Sequence, residues 1–316
     1  MPEFTLVVPP EQAGARLDVF LAGRFASQGP CLSRSAIKKI ILDGGVFSGV
    51  TARNLPHYKV RAQERLLVRV PEKRQGRPAA EDLPLQVVYE DDCLAVVEKP
   101  AGMVVHPAPG NPEHTLVNAL LFCFQALSDV NPGRPGIVHR LDKEASGLLV
   151  VAKDNSSHLN LAKQFACHSV KRKYLALVKG EMEFDQRVIE APVARHPLRR
   201  QDMAVSFSAN SRYAKTYCRT LRRGKDYSLV ELELFTGRTH QIRVHLKFIG
   251  HPVLGDAKYG GAPASLVRKY ALKRLCLHAA YLGFSHPATG KFVEFSSPLP
   301  KGFEALLKWN VKLNNS

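Results

Sequence analysis

Two stretches near the start of the chain carry apolar residues at helical spacing. Leu17, Phe20, Leu21 and Phe25 mark an amphipathic helix over about 16–26. Ile37, Ile40 and Ile41 mark a second over 34–43, with Ser33 placed as its N-cap and Gly44 as its stop. Arg34 and Lys38, four residues apart, share another face of that helix. A strand pattern follows at 66–70. Residues 71–82, PEKRQGRPAAED, show no apolar period and contain Pro and Gly, so they read as a linker. Beyond it, β-type runs dominate, at 85–90, 94–98, 148–152, 173–179, 187–193, 214–220, 227–235, 279–284 and 291–295. Helical patterns interrupt them near 115–127, 157–167, 239–249 and 302–310. Strands that do not alternate with regular helices exclude a doubly wound parallel sheet. They predict an α+β domain on a mixed, mostly antiparallel sheet.

Length and composition agree with this division. The 316 residues suit one small and one large domain, and 45% hydrophobic with 23% charged residues describes a soluble globular chain. No apolar run approaches the ~20 residues that cross a bilayer. The start, Met1-Pro2-Glu3-Phe4, lacks the basic region and long apolar stretch of a secretory signal. The six cysteines are scattered, which gives no zinc knuckle, redox pair or disulfide framework and points to a reducing cytoplasm.

Charge changes the picture more. The net formal charge is +17, and two segments hold most of it. Residues 14–74 carry twelve basic and four acidic side chains, and residues 195–225 carry nine basic and one acidic. Clustered cations favour a polyanionic partner, because phosphate backbones reward such patches through counterion release. No basic amphipathic helix with an aromatic face stands out, which disfavours a membrane surface.

Three segments concentrate chemistry. Residues 136–153, GIVHRLDKEASGLLVVAK, present His139-Arg140-Leu141-Asp142 as a compact polar turn between apolar flanks, where a fixed carboxylate can meet a substrate. Residues 234–246, LFTGRTHQIRVHL, pack Arg238, His240, Gln241, Arg243 and His245 together, with Arg238 at a strand-to-helix junction and the helix starting at Thr239. His240 and His245 lie five apart and so on different faces of a helix, which discounts a metal site and makes His245 a hydrogen-bonded structural residue. Arg243 reads as a packing or phosphate-binding residue. Residues 171–180, KRKYLALVKG, alternate so that Tyr174, Ala176 and Val178 share a face; Tyr174 is either a core tyrosine or a platform for a nucleobase.

Together these segments resemble the RluA-type pseudouridine synthases over most of 83–300. HRLD followed by a Ser-Gly turn and GRTHQIRVH carry the likeness. Glu98-Lys99-Pro100-Ala101-Gly102, Val105-His106-Pro107, the pieces at 194–197 and 203–205, and GHPVLGDAKYG at 250–260 support it. One departure is Ala145, where Thr is common. Residues 14–70, on RLDVFLA and LSRSAIKKIILDGGV, resemble the small RNA-binding module of a ribosomal small-subunit protein; Phe47-Ser48-Gly49-Val50 stands where a Val-Asn-Gly turn is usual. The resemblance implies a pseudouridine synthase fold with a central active-site cleft and a small N-terminal α/β RNA-binding domain. The expected domains are 1–75, a linker at 76–82, and a catalytic domain at 83–316. It further implies that Asp142 is the essential carboxylate, that Arg140 helps displace the target base, that Tyr174 stacks on uracil and that Arg238 pairs with Asp142.

Such an enzyme needs no cofactor or metal, since isomerisation gains and loses no atoms. A carboxylate kept ionised away from water needs a cation beside it. The expected RNA grip is Arg34, Lys38 and Lys39 in the small domain and Arg195, Arg199 and Arg200 in the second basic segment, taken as a loop and hairpin. The expected partner is structured RNA, ribosomal RNA of the large subunit first, with no DNA and no membrane, acting as a monomer in the cytoplasm. A transfer RNA pseudouridine synthase and a non-catalytic RNA chaperone or ribosome assembly factor are the alternatives. A zinc deaminase lacks its ligand motif, and a methyltransferase lacks a Gly-rich nucleotide loop.

Overall fold

The computed structural model describes residues 2–28, 32, 34–70, 78–108, 110–199, 201–260, 268, 274–303 and 306, the side chains at 26–28, 34 and 35 excepted. The chain divides into two compact units, Met1–Gln75 and Gly76–Ser316.

In the first unit the two helical patterns form α1 (Leu17–Gln28) and α2 (Arg34–Leu42). They follow a strand that the apolar pattern does not reveal, β1 (Glu3–Val7), and precede β2 (Val46–Ser48), β3 (Thr51–Ala52) and β4 (Arg65–Arg69). The strands form one sheet in the order β1-β4-β2-β3. Leu17, Phe20, Leu21, Phe25, Ile37, Ile40 and Ile41 all enter one core with Leu66 and Val68 of β4. Helical and strand periods thus converge on the same apolar centre. Ser33, the expected N-cap, lies outside the described residues, as do 71–77 of the expected linker.

The second unit starts with β5 (Gln86–Glu90) and β6 (Leu94–Lys99), then α3 (Leu116–Cys123), β7 (Ser146–Ala152) and α4 (Asn155–Ala166). It continues with β8 (Lys171–Lys179), β9 (Gln186–Glu190), β10 (Val193–Arg195), β11 (Met203–Val205), β12 (Lys215–Arg222) and β13 (Tyr227–Leu234). It closes with α5 (Gln241–Phe248), β14 (Leu277–Ser285) and β15 (Phe292–Ser296). Nine strands form one sheet in the order β5-β6-β7-β14-β8-β13-β12-β9, with β15 also paired to β14. Among the described residues only β7 and β14 pair in parallel, so the sheet is mixed and mostly antiparallel, an α+β architecture. The helix expected at 302–310 falls mostly outside the described residues.

Residues 195–225 contain the expected hairpin, in which β10 pairs with β11 apart from the main sheet, and the strand expected at 214–220 is β12, an interior strand of that sheet. The helix after β13 starts at Gln241, not Thr239, because His240 takes a left-handed backbone (φ 54) that cannot continue a helix. Among the described residues no helix is long and apolar enough to cross a membrane.

The parallel seam between β7 and β14 is the part of the sheet that matters most for the site. His278 pairs with Ser146 and Ala279 with Gly147. Gly147 has φ 114, and a Cβ there would stand 2.3 Å from the carbonyl oxygen of Ala279. Only glycine lets the two backbones approach so closely.

Candidate active site

The turn that presents Asp142 is fastened from three sides. His139, just before it, stacks on Phe165 of α4 (ring centroids 4.4 Å, 21° between planes), and its Nε2 accepts the backbone N–H of Val150. Behind the turn, Lys99 is fully buried at the end of β6 and donates from Nζ to the carbonyls of Pro100, Met103 and Lys143 at 2.7, 2.9 and 3.1 Å. Burial pulls the Lys99 amine down to about 7, against the opposing pull of Asp142 and Glu144. Ahead of the turn, a buried relay crosses the β7–β14 seam. Arg274 donates to Ser146 Oγ (2.6 Å), which meets His278 Nδ1 at 2.9 Å; His278 Nε2 meets Ser297 Oγ at 3.0 Å, and Ser297 donates to Glu98 at 2.9 Å. From head to tail the relay runs from guanidinium to carboxylate with the His278 proton on Nε2, an arrangement in which each bond polarises the next.

Asp142 itself meets α5. Arg243, 101 residues later, reaches Asp142 Oδ2 from Nη1 at 3.2 Å and grips Asp256 with two further bonds, 2.7 Å from Nε and 2.9 Å from Nη2. Asp256 is fully buried and also accepts the backbone N–H groups of Lys258 and Tyr259. Burial works against the charged guanidinium, but Asp256 and Asp142 together hold its pKa above the ordinary arginine value. His240 lies 3.9 Å from Asp142 through Nε2, while its Nδ1 meets the Tyr259 hydroxyl at 2.7 Å. Burial keeps the His240 ring less basic than usual.

Gln241 explains the sharp entry into α5. Its Oε1 accepts from Thr236 Oγ1 and from the backbone N–H of Arg238, and its Nε2 donates to Lys215 O and Thr216 Oγ1. All four bonds close inside the protein, so the turn at 236–241 is fixed before any substrate arrives. His245 is completely buried between Thr216 Oγ1 and the carbonyl of Ala191, the structural role its sequence position suggests.

A cavity of about 600 Å³ opens over these groups, and Arg140, Asp142, Tyr174 and Arg238 all line it. Tyr174 is a buried wall residue of β8, and Arg140 is exposed. The expected pairing of Arg238 with Asp142 does not occur: Arg238 Nε donates to the carbonyl of Tyr213 at 3.0 Å, and Arg243 takes the place beside the carboxylate. The physical reason is the left-handed residue at 240, which turns the chain between the two arginines. Of the expected RNA contacts, Lys38 and Lys39 are exposed on α2 and Arg195 is exposed at the end of β10. Arg199 pairs with Asp202 at 3.2 Å. The Arg34 side chain and Arg200 lie outside the described residues.

Two histidines held neutral, His278 fully buried and His139 half-buried, give the fold a pH signature. Burial, with the charge of Arg172, drives His139 down to about 3. Burial and Arg274 drive His278 down to about 4, although backbone carbonyls oppose the shift. Both values lie below the ~6.5 of an unfolded chain. Below pH ~6.5 the unfolded state takes up protons that the folded state refuses, so stability falls as pH drops. Two such groups lower the unfolding free energy by roughly 2 kcal/mol between pH 6 and pH 5, above the range where carboxylates titrate. Urea midpoints at the two pH values test this; equal midpoints show that the folded state does not hold both rings neutral.

Residues 93–248 match the model of the family described as RNA pseudouridylate synthase. The chain is 44% identical over 315 residues to ribosomal large subunit pseudouridine synthase D of Zymomonas mobilis, covering 98% of each protein. It is 40% identical over 319 residues to the protein of the same name from Haemophilus influenzae, covering 97% of this chain and 95% of that one. Among solved structures it resembles human RNA pseudouridylate synthase domain containing 1, with a TM-score of 0.57 and 26% identity over 73% of this chain and 96% of the other.

Proposed function

Since this chain belongs to the RNA pseudouridylate synthase family, and is therefore an isomerase of RNA uridines, we propose that it acts on large-subunit ribosomal RNA with Asp142 as its catalytic carboxylate. The observation that carries the site assignment is the ion pair of a half-buried Asp142 with Arg243 at the floor of a cavity walled by Tyr174. The reaction breaks the bond from uracil N1 to ribose C1′, turns the base and joins C5 to C1′. A carboxylate starts it either by attacking a carbon or by removing a ribose proton. Both routes need an ionised oxygen held still, and Arg243 supplies the counter-charge.

The target base must leave its stack, at a cost of about a few kcal/mol. Arg140, exposed at the cavity, is placed to occupy the gap, and Tyr174 is placed to stack on the extruded base, worth roughly 1–3 kcal/mol. Ribosomal RNA is favoured over transfer RNA by the names of the near full-length relatives. Mapping pseudouridines in total RNA with and without the gene tests this. Loss of sites in large-subunit RNA, restored by the wild-type gene and not by Asp142→Asn, supports the proposal. Loss confined to transfer RNA contradicts it.

The first unit serves this reaction as an RNA grip, through the exposed Lys38 and Lys39 of α2 and the basic residues around them. Deleting residues 1–75 is expected to weaken RNA binding and to flatten its salt dependence by about 2–4 in the log–log slope, each lost phosphate contact removing ~0.9. An unchanged slope removes the unit from the RNA interface.

A further inference from the structure

Arg172 lines the cavity without a part in the chemistry assigned to it so far. Strand alternation in β8 puts it on the same face as Tyr174, and both line the cavity. Its exposure is only 9%. Its Nε is buried with no hydrogen-bond partner, and no carboxylate among the described residues pairs with it. Asp142 is the single acid among the described residues that line the cavity, and Arg243 already occupies it. A buried guanidinium without an anion is costly, and such groups persist where function uses them.

The side chain is also held in place. Its guanidinium carbon lies 5.5 Å from the centre of the Phe165 ring, which also stacks on the neutral His139. On another side stands Gly237, where a Cβ would come within 3.0 Å of Arg172 Nη1. The sequence therefore leaves room for the guanidinium at the turn that leads to α5. Arg140 and Arg212, which also line the cavity, are exposed, and Arg140 is already placed to fill the gap the base leaves. Arg172 sits deeper, beside the tyrosine on which a base would stack.

We propose that Arg172 is a catalytic residue that binds the carbonyl oxygens of the target uracil and stabilises the negative charge the base acquires as it leaves ribose. When the N1–C1′ bond breaks, its electron pair departs with the base and spreads over N1, O2 and O4. C1′ is compensated by a bond to Asp142 or by loss of a ribose proton. In the rejoining step C5 supplies the pair for the new bond to C1′ as the bond to Asp142 breaks, or as Asp142 returns the ribose proton; the C5 proton is then lost and N1 gains one, so the net change is isomerisation alone. A fixed guanidinium beside the carbonyl oxygens strengthens its hold as that charge grows, which is the condition for lowering a barrier rather than tightening binding.

This inference rests on the reading of the Asp142 cavity as the uridine site. Its test uses the full-length protein and a large-subunit RNA transcript carrying 5-tritiated uridine. Single-turnover tritium release at saturating enzyme is measured beside RNA affinity for Arg172→Met, Arg172→Lys and Arg172→Ala. The expected result for Arg172→Met is a rate about 10²–10³-fold lower with affinity within about twofold, the scale of losing one charge-stabilising donor. Arg172→Lys recovers part of the rate, and added methylguanidinium restores part of it to Arg172→Ala. An unchanged rate overturns the proposal. So does weaker binding with a normal rate at saturation, which marks a phosphate contact. So does a slow, less stable protein that neither lysine nor methylguanidinium rescues, which marks a mere support for Phe165 and His139. Asp142→Asn is assayed in parallel. Activity there defeats the site assignment itself, whereas an inactive Asp142→Asn beside a fully active Arg172→Met defeats only the role of Arg172.

Discussion

Asp142→Asn is expected to leave a folded protein that releases no tritium from RNA carrying 5-tritiated uridine. The substitution is close to isosteric. Asparagine keeps an oxygen for Arg243, and Arg243 keeps both bonds to Asp256, so the floor of the cavity stays assembled. Asp142 is only partly buried, at 19% side-chain exposure, and its loss as a charge moves stability by no more than about 1 kcal/mol. What disappears is the anion. An amide oxygen neither attacks carbon nor accepts a ribose proton at neutral pH, so turnover falls by at least about 10⁴-fold, within the range set by losing a general base or a nucleophile. Tritium release is the right readout because joining C5 to C1′ forces the C5 hydrogen out. Near-normal release with a normal melting curve would defeat the assignment of Asp142.

The fold was largely readable because period and burial agree in most segments. Leu17, Phe20 and Leu21 at helical spacing, and the continuous apolar run 148–152, both end in cores. What escaped was either short or non-local. Three-residue β10 and β11 show no period long enough to detect, and β1 mixes apolar and polar residues in an exposed, charged frame. The site divides the same way. Asp142 stands out because its turn is locally distinctive. The choice between Arg238 and Arg243 depends on one left-handed residue, His240, and on Gln241 capturing the backbone of Arg238, and neither has a local signal. Asp256 offered a clue. It is an acid in the mainly apolar stretch 252–257, PVLGDA, and such a carboxylate demands a buried cation, which Arg243 alone supplies within bonding distance among the described residues. Lys99 was visible only as part of a motif; that its amine collects three carbonyls is a property of loops brought together by β6 and β7.

Arg243→Met is expected to harm both stability and turnover, and the two effects can be separated. Removing the guanidinium leaves Asp256 charged and buried with only the backbone N–H groups of Lys258 and Tyr259, and breaking a buried pair in this way costs about 3–5 kcal/mol. It also strips Asp142 of its counter-charge. Adding Asp256→Asn to the Arg243→Met background removes the uncompensated charge while an amide oxygen continues to accept the two backbone bonds, so most of the lost stability returns. Turnover does not return, because Asp142 still lacks its cation; it stays at least about 10²-fold below wild type, the scale of one missing electrostatic partner. Arg243→Lys keeps the charge but not the fork. A lysine reaches one carboxylate at a time and cannot bridge Asp142 and Asp256 together, so it recovers stability and turnover only in part. Arg238→Ala lacks this signature, since Arg238 holds the Tyr213 carbonyl and no carboxylate among the described residues. Urea melts and tritium release on the four variants decide the matter. If stability and turnover recover together in the double variant that combines Arg243→Met with Asp256→Asn, Arg243 acts only through folding, and the cation that keeps Asp142 working must be sought elsewhere in the cavity.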